Sequence, residues 1–256
     1  MGSYVGKYAE YYNHIYANKP YKNEAAFVHT CLQRHTVGTT SSLLELACGT
    51  GRHALELEKL GYQILATDYS ADLLAVAHSE AERHDSTVAF ELQDMRELQL
   101  GGRTFDAAYC LFDSIGYVQT NQAVLQVLQN VHAALRPSGL LLLEFWHAAA
   151  MLRAYEPERQ ATWMLPNGEL ARKSRTTLHV ERQLAEVSYS LRETAADGSL
   201  LSEIQETQWN RYFLVQEMAL FLQSAGFEAV EWMPAYQIVG PIDMDTWHVM
   251  VVARRA

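Results

Sequence analysis

Cysteine, basic charge and long apolar runs are all scarce in this chain of 256 residues. Its three cysteines, Cys31, Cys48 and Cys110, stand far apart with no CxxC pair. That excludes a disulfide framework and a thiolate zinc site, and it fits a reducing compartment. Lys and Arg number 20 against 30 Asp and Glu, a formal net charge of −10 with no basic stripe. Phosphate binding needs such a stripe, so no nucleic-acid partner is expected. The most apolar stretch, 140–151, is interrupted by Glu144 and His147 and is far too short to span a bilayer. The leading MGSYVGKYAEYYNHIYANKP has no apolar core of signal-peptide type, and Gly6 stands where myristoylation needs Ser or Thr. These absences predict a cytoplasmic protein with no membrane partner. The composition, 49% hydrophobic with 14 Gly and 6 Pro, is ordinary globular and excludes disorder, collagen and coiled coil.

What the chain does have is rhythm. After a tyrosine-crowded stretch from Tyr8 to Tyr21 and an amphipathic helix over 25–34, strands and helices alternate. Strands are expected at 43–47, 63–67, 88–92, 105–111 and 140–145, with helices at 52–60, 70–83 and 121–135. Such alternation implies a mostly parallel sheet covered on both faces. The period then changes to two over 170–180, 184–193 and 201–213, with turn signals at Pro166-Asn167-Gly168 and Asp197-Gly198. A helix at 215–225 and strands at 227–233 and 247–253 close the chain. The chain therefore reads as an α/β fold: a Rossmann-like, doubly wound, mostly parallel sheet with an antiparallel β insertion, a lid, after strand five. Its parts are a tyrosine-rich lead-in at 1–40, a core at 41–145 and 214–256, and the insertion at 146–213.

The strongest local signal is Glu45-Leu46-Ala47-Cys48-Gly49-Thr50-Gly51-Arg52-His53-Ala54. Glycines directly after a strand let the backbone turn tightly and approach a ligand, and the next helix offers free N–H groups. Asp68 ends the second strand, 17 residues past Gly51, where a carboxylate can accept both hydroxyls of an adenosine ribose. Ser70 is available as the helix cap, which leaves Asp68 for that task. Asp94, before Met95 at the end of the third strand, suits an adenine amino group with an apolar side chain against the ring.

ELACGTGRH, the TDYS turn, QDM after strand three and LFDSIGYV after strand four together resemble the class I S-adenosylmethionine-dependent methyltransferases. The lead-in YYNHIYANKPYKNEA, the LFDSIGYV segment and the β insertion are similar to the small-molecule branch that includes aminosugar N,N-dimethyltransferases. The resemblance implies S-adenosylmethionine as cofactor and S-adenosylhomocysteine as product. It implies Ala47, Cys48, Gly49 and Gly51 around the methionine moiety, with Glu45 orienting its ammonium group. Asp68 would take the ribose with Tyr69 beside the adenine, Asp94 and Met95 the adenine, and Leu111 the floor beneath the cofactor. Tyr12 and Tyr21 align with tyrosines that close over cofactor or substrate. The chain departs from the branch on the acceptor side: Asp113 replaces a serine, Tyr117 a histidine, and Trp146-His147 an aromatic pair.

Methyl transfer is an in-line displacement in which the cofactor carries the reactive group and the protein aligns it. An amine acceptor needs only to lose a proton, whereas a hydroxyl asks for a general base. Asp113 and His147 are the candidate proton acceptors, Asp113 against a loop-cap reading and His147 against one satisfied by lid backbone. Tyr117 joins them as an acceptor-side candidate that suits a pocket wall better. No histidine shows metal-ligand spacing, so no metal is expected; His53 reads as structural, and His14, His29, His35, His78, His84, His132, His179 and His248 as solvated or core-edge residues. The favoured function is methyl transfer to an amine or hydroxyl of a small molecule, an aminosugar or another secondary metabolite. The alternatives are an NAD(P)-dependent oxidoreductase on the same glycine loop and a cofactor-binding protein without chemistry. Nothing in the sequence chooses between a monomer and a homodimer.

Overall fold

Leu140 to Leu143 are buried without exception, as a strand covered on both faces requires. The computed structural model describes residue 4 and residues 6–256. Two helices, α1 (Lys7–Ile15) and α2 (Tyr21–His35), precede β1 (Ser42–Leu46), α3 (Arg52–Glu58), β2 (Gln63–Asp68), α4 (Ala71–Arg83) and β3 (Ala89–Leu92). Then come β4 (Phe105–Cys110), α5 (Asn121–Ala134), β5 (Leu135–Trp146) and α6 (Ala148–Ala154). A run of four strands follows: β6 (Glu158–Leu165), β7 (Gly168–His179), β8 (Leu184–Ala195) and β9 (Leu200–Arg211). The chain ends with α7 (Val215–Ser224), β10 (Phe227–Pro234) and β11 (His248–Arg255). Among the described residues no helix is long and apolar enough to cross a membrane.

The main sheet has the order β10-β11-β5-β4-β1-β2-β3, and β6 to β9 form a separate four-stranded meander. β1 to β5 pair in parallel, while β11 runs antiparallel to β5 and β10 antiparallel to β11. This is the mixed α/β architecture expected. The antiparallel β10–β11 hairpin occupies the place where a dinucleotide fold continues its second parallel half, which argues against the oxidoreductase reading. Two cores flank the sheet. One joins it to α5 and α7 through Val124, Leu128, Met218 and Leu222; the other joins it to α2, α3 and α4 through Phe27, Val28, Leu55 and Leu74. The order reverses between β1 and β4, and the carboxyl ends of these neighbours open the crevice where such sheets hold ligands.

Three elements differ from the sequence reading. β6, Glu158–Leu165, has no expected counterpart: most of its side chains are exposed, it opens on the polar Glu158-Arg159-Gln160, and it pairs only with β7. The short α6, rich in alanine, has no expected counterpart either. β5 begins at Leu135 rather than Leu140, running through Pro137-Ser138-Gly139 with Ser138 at φ 63° and a register shift against β4. The tyrosine-rich lead-in is helical in α1, where Tyr8, Tyr11 and Ile15 pack against Leu170 and Leu191 of the meander.

The turn after β4 and the meander touch at one point with no room to spare. A Cβ on Gly116 would lie 1.8 Å from Asn210 Oδ1 and 2.7 Å from the Arg211 carbonyl oxygen. Gly116→Ala should therefore overpack this junction and cost about 1–3 kcal/mol. A lower urea midpoint at unchanged m-value checks this; an unshifted midpoint would mean the junction yields freely.

Candidate active site

The bend that leaves β1 is left-handed at three positions, with φ of 53° at Ala47, 56° at Gly49 and 73° at Gly51. Glycine accepts such angles at no steric cost, and at Gly51 a Cβ would also lie 2.6 Å from the Phe90 ring. Asp68, at the end of the neighbouring β2, pins the bend. Its Oδ2 accepts the Gly49 backbone N–H at 2.8 Å, and its Oδ1 accepts that of Ser70 at 2.8 Å. Ser70 in turn caps α4 by accepting the Leu73 N–H through its hydroxyl at 3.3 Å. Burial pushes the Asp68 carboxyl up, and the backbone N–H groups oppose that shift.

Glu45, in the last turn of β1 and buried, accepts a hydrogen bond from the Tyr109 hydroxyl at 3.1 Å. Burial pushes its carboxyl up to about 8. Among the described residues no Lys or Arg pairs with Glu45 or Asp68. The nearest basic group to Glu45 is His53 Nδ1 at 4.0 Å, and that imidazole is itself lowered by burial. His53 is occupied by a hydrogen bond of 2.6 Å to Glu24, which also pairs with Lys19. Two buried acids without a cation beside the glycine bend are suited to a ligand that brings positive charge.

In front of the bend lies a cavity of about 470 Å³, within the range of small-molecule sites. Ala47, Gly49, Asp68, Tyr69 and Tyr12 line one end. Rings of Tyr4, Tyr16, Phe112, Tyr117, Trp146 and Tyr189 wall the rest, and Arg159, Arg172 and Gln208 reach it from the meander. Burial raises the phenols of Tyr4, Tyr12, Tyr117 and Tyr189, so these walls are neutral at physiological pH. Tyr117 donates to Gln208 Oε1 at 3.1 Å and lies 3.3 Å from the Tyr4 hydroxyl, tying the lead-in, the core and the meander together. Its role is that of a wall, with no sign of an ionised base. Aromatic faces and carboxylates together fit a sulfonium ion, each cation–π contact being worth ~0.5–2 kcal/mol.

Several residues singled out in the sequence do not reach this cavity. Cys48 and Leu111 are buried behind the bend, and Met95 is buried under α5. Asp94 is engaged by Arg96, whose backbone N–H it accepts at 2.8 Å and whose guanidinium it pairs with. Tyr21 stands against His53 and the Arg52 guanidinium, outside the cavity lining. His147 sits in the junction with its Nδ1 3.1 Å from the Thr246 carbonyl oxygen, so it is the backbone-satisfied histidine rather than a cavity base. Conversely, His248, read as solvated or core-edge, is half-exposed and takes part in a cluster of charged groups. It lines the cavity, and its Nδ1 lies 3.1 Å from Asp113 and 3.0 Å from Glu144. The sequence signal for it was weak: a lone histidine opening the last strand, more than 100 residues from either acid.

The chain matches a family model described as a methyltransferase domain over residues 43–139. It is 30% identical over 192 residues to a dTDP-3-amino-3,4,6-trideoxy-α-D-glucopyranose N,N-dimethyltransferase of Streptomyces venezuelae, covering 74% of this chain and 72% of that one. It is 33% identical over 148 residues to a dTDP-3-amino-3,6-dideoxy-α-D-glucopyranose N,N-dimethyltransferase of Streptomyces fradiae. That match covers 57% of this chain and spans little more than half, 56%, of the relative's length. A sugar N-methyltransferase structure from Streptoalloteichus superposes with a TM-score of 0.80 over 98% of this chain and 95% of that one, at 22% identity, and so shares its fold.

The bend makes a measurable demand. Gly51→Ala must place a Cβ in left-handed backbone and against Phe90, so stability should fall by about 1–3 kcal/mol. Thermal and urea unfolding of the same samples test this, and wild-type stability would show that the bend tolerates a side chain.

Proposed function

The chain belongs to the S-adenosylmethionine-dependent methyltransferases, and from that membership we propose that it moves a methyl group to the amine of a small, sugar-like acceptor. One observation carries this reading. A single cavity runs from the glycine bend and Asp68 to a wall of aromatic rings, Asp113 and the arginines of the meander. When bound, S-adenosylmethionine supplies an electrophilic methyl group on a sulfonium. The residues that would hold it are Ala47, Gly49, Asp68 and Tyr69 on the cavity wall, with Glu45 behind the bend. The tyrosine walls exclude water and keep the reacting groups close, and orientation of this kind is worth on the order of 7–11 kcal/mol.

The acceptor end is aromatic and acidic near Asp113 and basic near Arg159 and Arg172. An acceptor with an amine at one end and an anionic substituent at the other matches that polarity, as the nucleotide-linked aminosugars named for the Streptomyces relatives do. Its three free, buried cysteines support a reducing, cytoplasmic setting. Transfer of label from methyl-labelled S-adenosylmethionine to a panel of nucleotide-linked aminosugars and their hydroxyl parents tests the proposal. No transfer to any amine, with cofactor binding intact, would leave a binding protein without this chemistry.

Two further outcomes are expected. Asp68→Ala should weaken S-adenosylmethionine binding by about 10- to 100-fold, the scale of a lost charge-assisted hydrogen bond, and unaltered affinity by calorimetry would refute the ribose assignment. Glu45 largely keeps its proton at neutral pH in the free protein, because burial raises its carboxyl to about 8. An ammonium group arriving beside it favours the carboxylate, so binding at pH 7 should release close to one proton. Calorimetry in buffers of different ionisation enthalpy reads that release, and Glu45→Gln should abolish it.

A further inference from the structure

Asp113, Glu144 and His248 form a cluster at the cavity that the proposed cofactor contacts leave unused. Phe112 and Asp113 both hold left-handed backbone, each at φ 56°, which non-glycine residues keep only where neighbours enforce it. Glu144 enforces it from β5. Its Oε2 accepts the Phe112 N–H at 2.6 Å and the Tyr236 hydroxyl at 2.5 Å, and its Oε1 faces His248 Nδ1 at 3.0 Å. The same nitrogen lies 3.1 Å from Asp113 Oδ2. Asp113 is only 3% exposed, and besides His248 its carboxyl has the Trp146 indole as a neighbouring donor. Asp113 and His248 line the cavity, whereas Glu144 lies behind it.

A buried carboxylate is costly unless cations and donors offset it. Two acids and one imidazolium also leave the cluster one negative charge in excess. We propose that the Asp113 carboxylate, at the cavity wall, receives the ammonium group of the acceptor and takes its proton, and that His248, clamped by Glu144, is the positioning residue that holds this carboxylate in place and ionised. The inference rests on the methyl-transfer reading of the cavity. In the step, an N–H bond of the acceptor ammonium breaks and its electron pair stays on nitrogen as the lone pair. The proton passes to the Asp113 carboxylate, converting it to a neutral carboxyl, which returns the proton to solvent. His248 keeps its own proton throughout.

Electrostatics agree with this division of labour. Burial pushes the Asp113 carboxyl up, against the pull of the His248 charge, so it exchanges a proton more readily than a surface aspartate. Burial works to lower His248, but the two carboxylates overcome it and hold the imidazolium well above the ordinary histidine range. Glu144 is lowered against its burial by His248, Tyr236 and the Phe112 N–H, so it remains the fixed anion. Also facing the cluster are Tyr236 after β10 and Cys110 at the end of β4, both raised by burial, and His53, itself lowered by burial, which feels the Glu144 charge. Lys19 lies against the Phe112 and Tyr236 rings, with Glu24 bound to it.

Carboxyl and imidazole NMR titration of the full chain tests the coupling without any ligand. His248 should stay protonated past neutrality. His248→Asn should raise the Asp113 midpoint by about one unit or more, and His248→Lys, which restores a fixed cation, should hold it near the wild-type value. Calorimetry then compares dTDP-3-amino-3,6-dideoxyglucose with dTDP-glucose as probes. Wild type and His248→Lys should prefer the amine by about tenfold, the effect of ~1.4 kcal/mol, and His248→Asn should lose the preference. An Asp113 midpoint unmoved in His248→Asn, or no preference for the amine in the wild type, overturns the proposal. S-adenosylmethionine affinity on the same samples reports on the methyl-transfer reading separately; its absence would sink that reading even where the titrations couple as expected.

Discussion

A buried carboxylate that gives both of its oxygens to backbone N–H groups organises this site. Asp68 fastens Gly49 of one loop and Ser70 of the next, so the ends of β1 and β2 are locked into one edge. The left-handed bend from Ala47 to Gly51 has no regular hydrogen-bond ladder of its own, and this clamp holds it open toward the crevice. Its place at the point where strand order reverses is what leaves room for a ligand there. With the Cys48 N–H donated to the Thr67 carbonyl and that of Gly51 to the Cys48 carbonyl, the fastening sets Ala47 and Gly49 on the cavity wall beside Tyr69.

The rest of the cavity is a problem of charge in a dry space. Its tyrosines are raised by burial and serve as neutral aromatic surface, which leaves carboxylates as the anions. The lead-in helix α1 closes the cavity by lying between the meander and the core, with Tyr8 and Tyr11 buried against the meander and Tyr12 turned to the glycine bend. The Tyr117 hydroxyl and the tight contact at Gly116 fasten the same three parts from the opposite side. The meander is thereby coupled to the residues that follow β4.

Much of this was legible in the amino-acid order because it is local. A strand run ended by Gly49 and Gly51, an aspartate at the end of the next strand and a capping serine after it are signals within some twenty residues, and their physical meaning does not depend on distant neighbours. The switch from helical to alternating periodicity likewise announced the antiparallel meander, although β6 escaped because its first half, Glu158-Arg159-Gln160, is polar and exposed and its alternation covers only Ala161, Trp163 and Leu165. Histidine at 147 illustrates the limit. Its position after a buried strand suggested chemistry, yet the Thr246 carbonyl, nearly one hundred residues away, satisfies its ring.

The chain order alone determined the α/β class, the glycine bend with its aspartate, and the family to which they belong, since each is written in short-range spacing and hydrophobic period. Tertiary structure decided which side chains share the acceptor end. It brings His248 from the last strand to Glu144 on β5 and Asp113 after β4, because β11 pairs antiparallel with β5 and sets His248 opposite Trp146. No spacing in the sequence encodes that register. It results from burying the faces of a seven-stranded sheet, a property of the whole fold rather than of any segment in it.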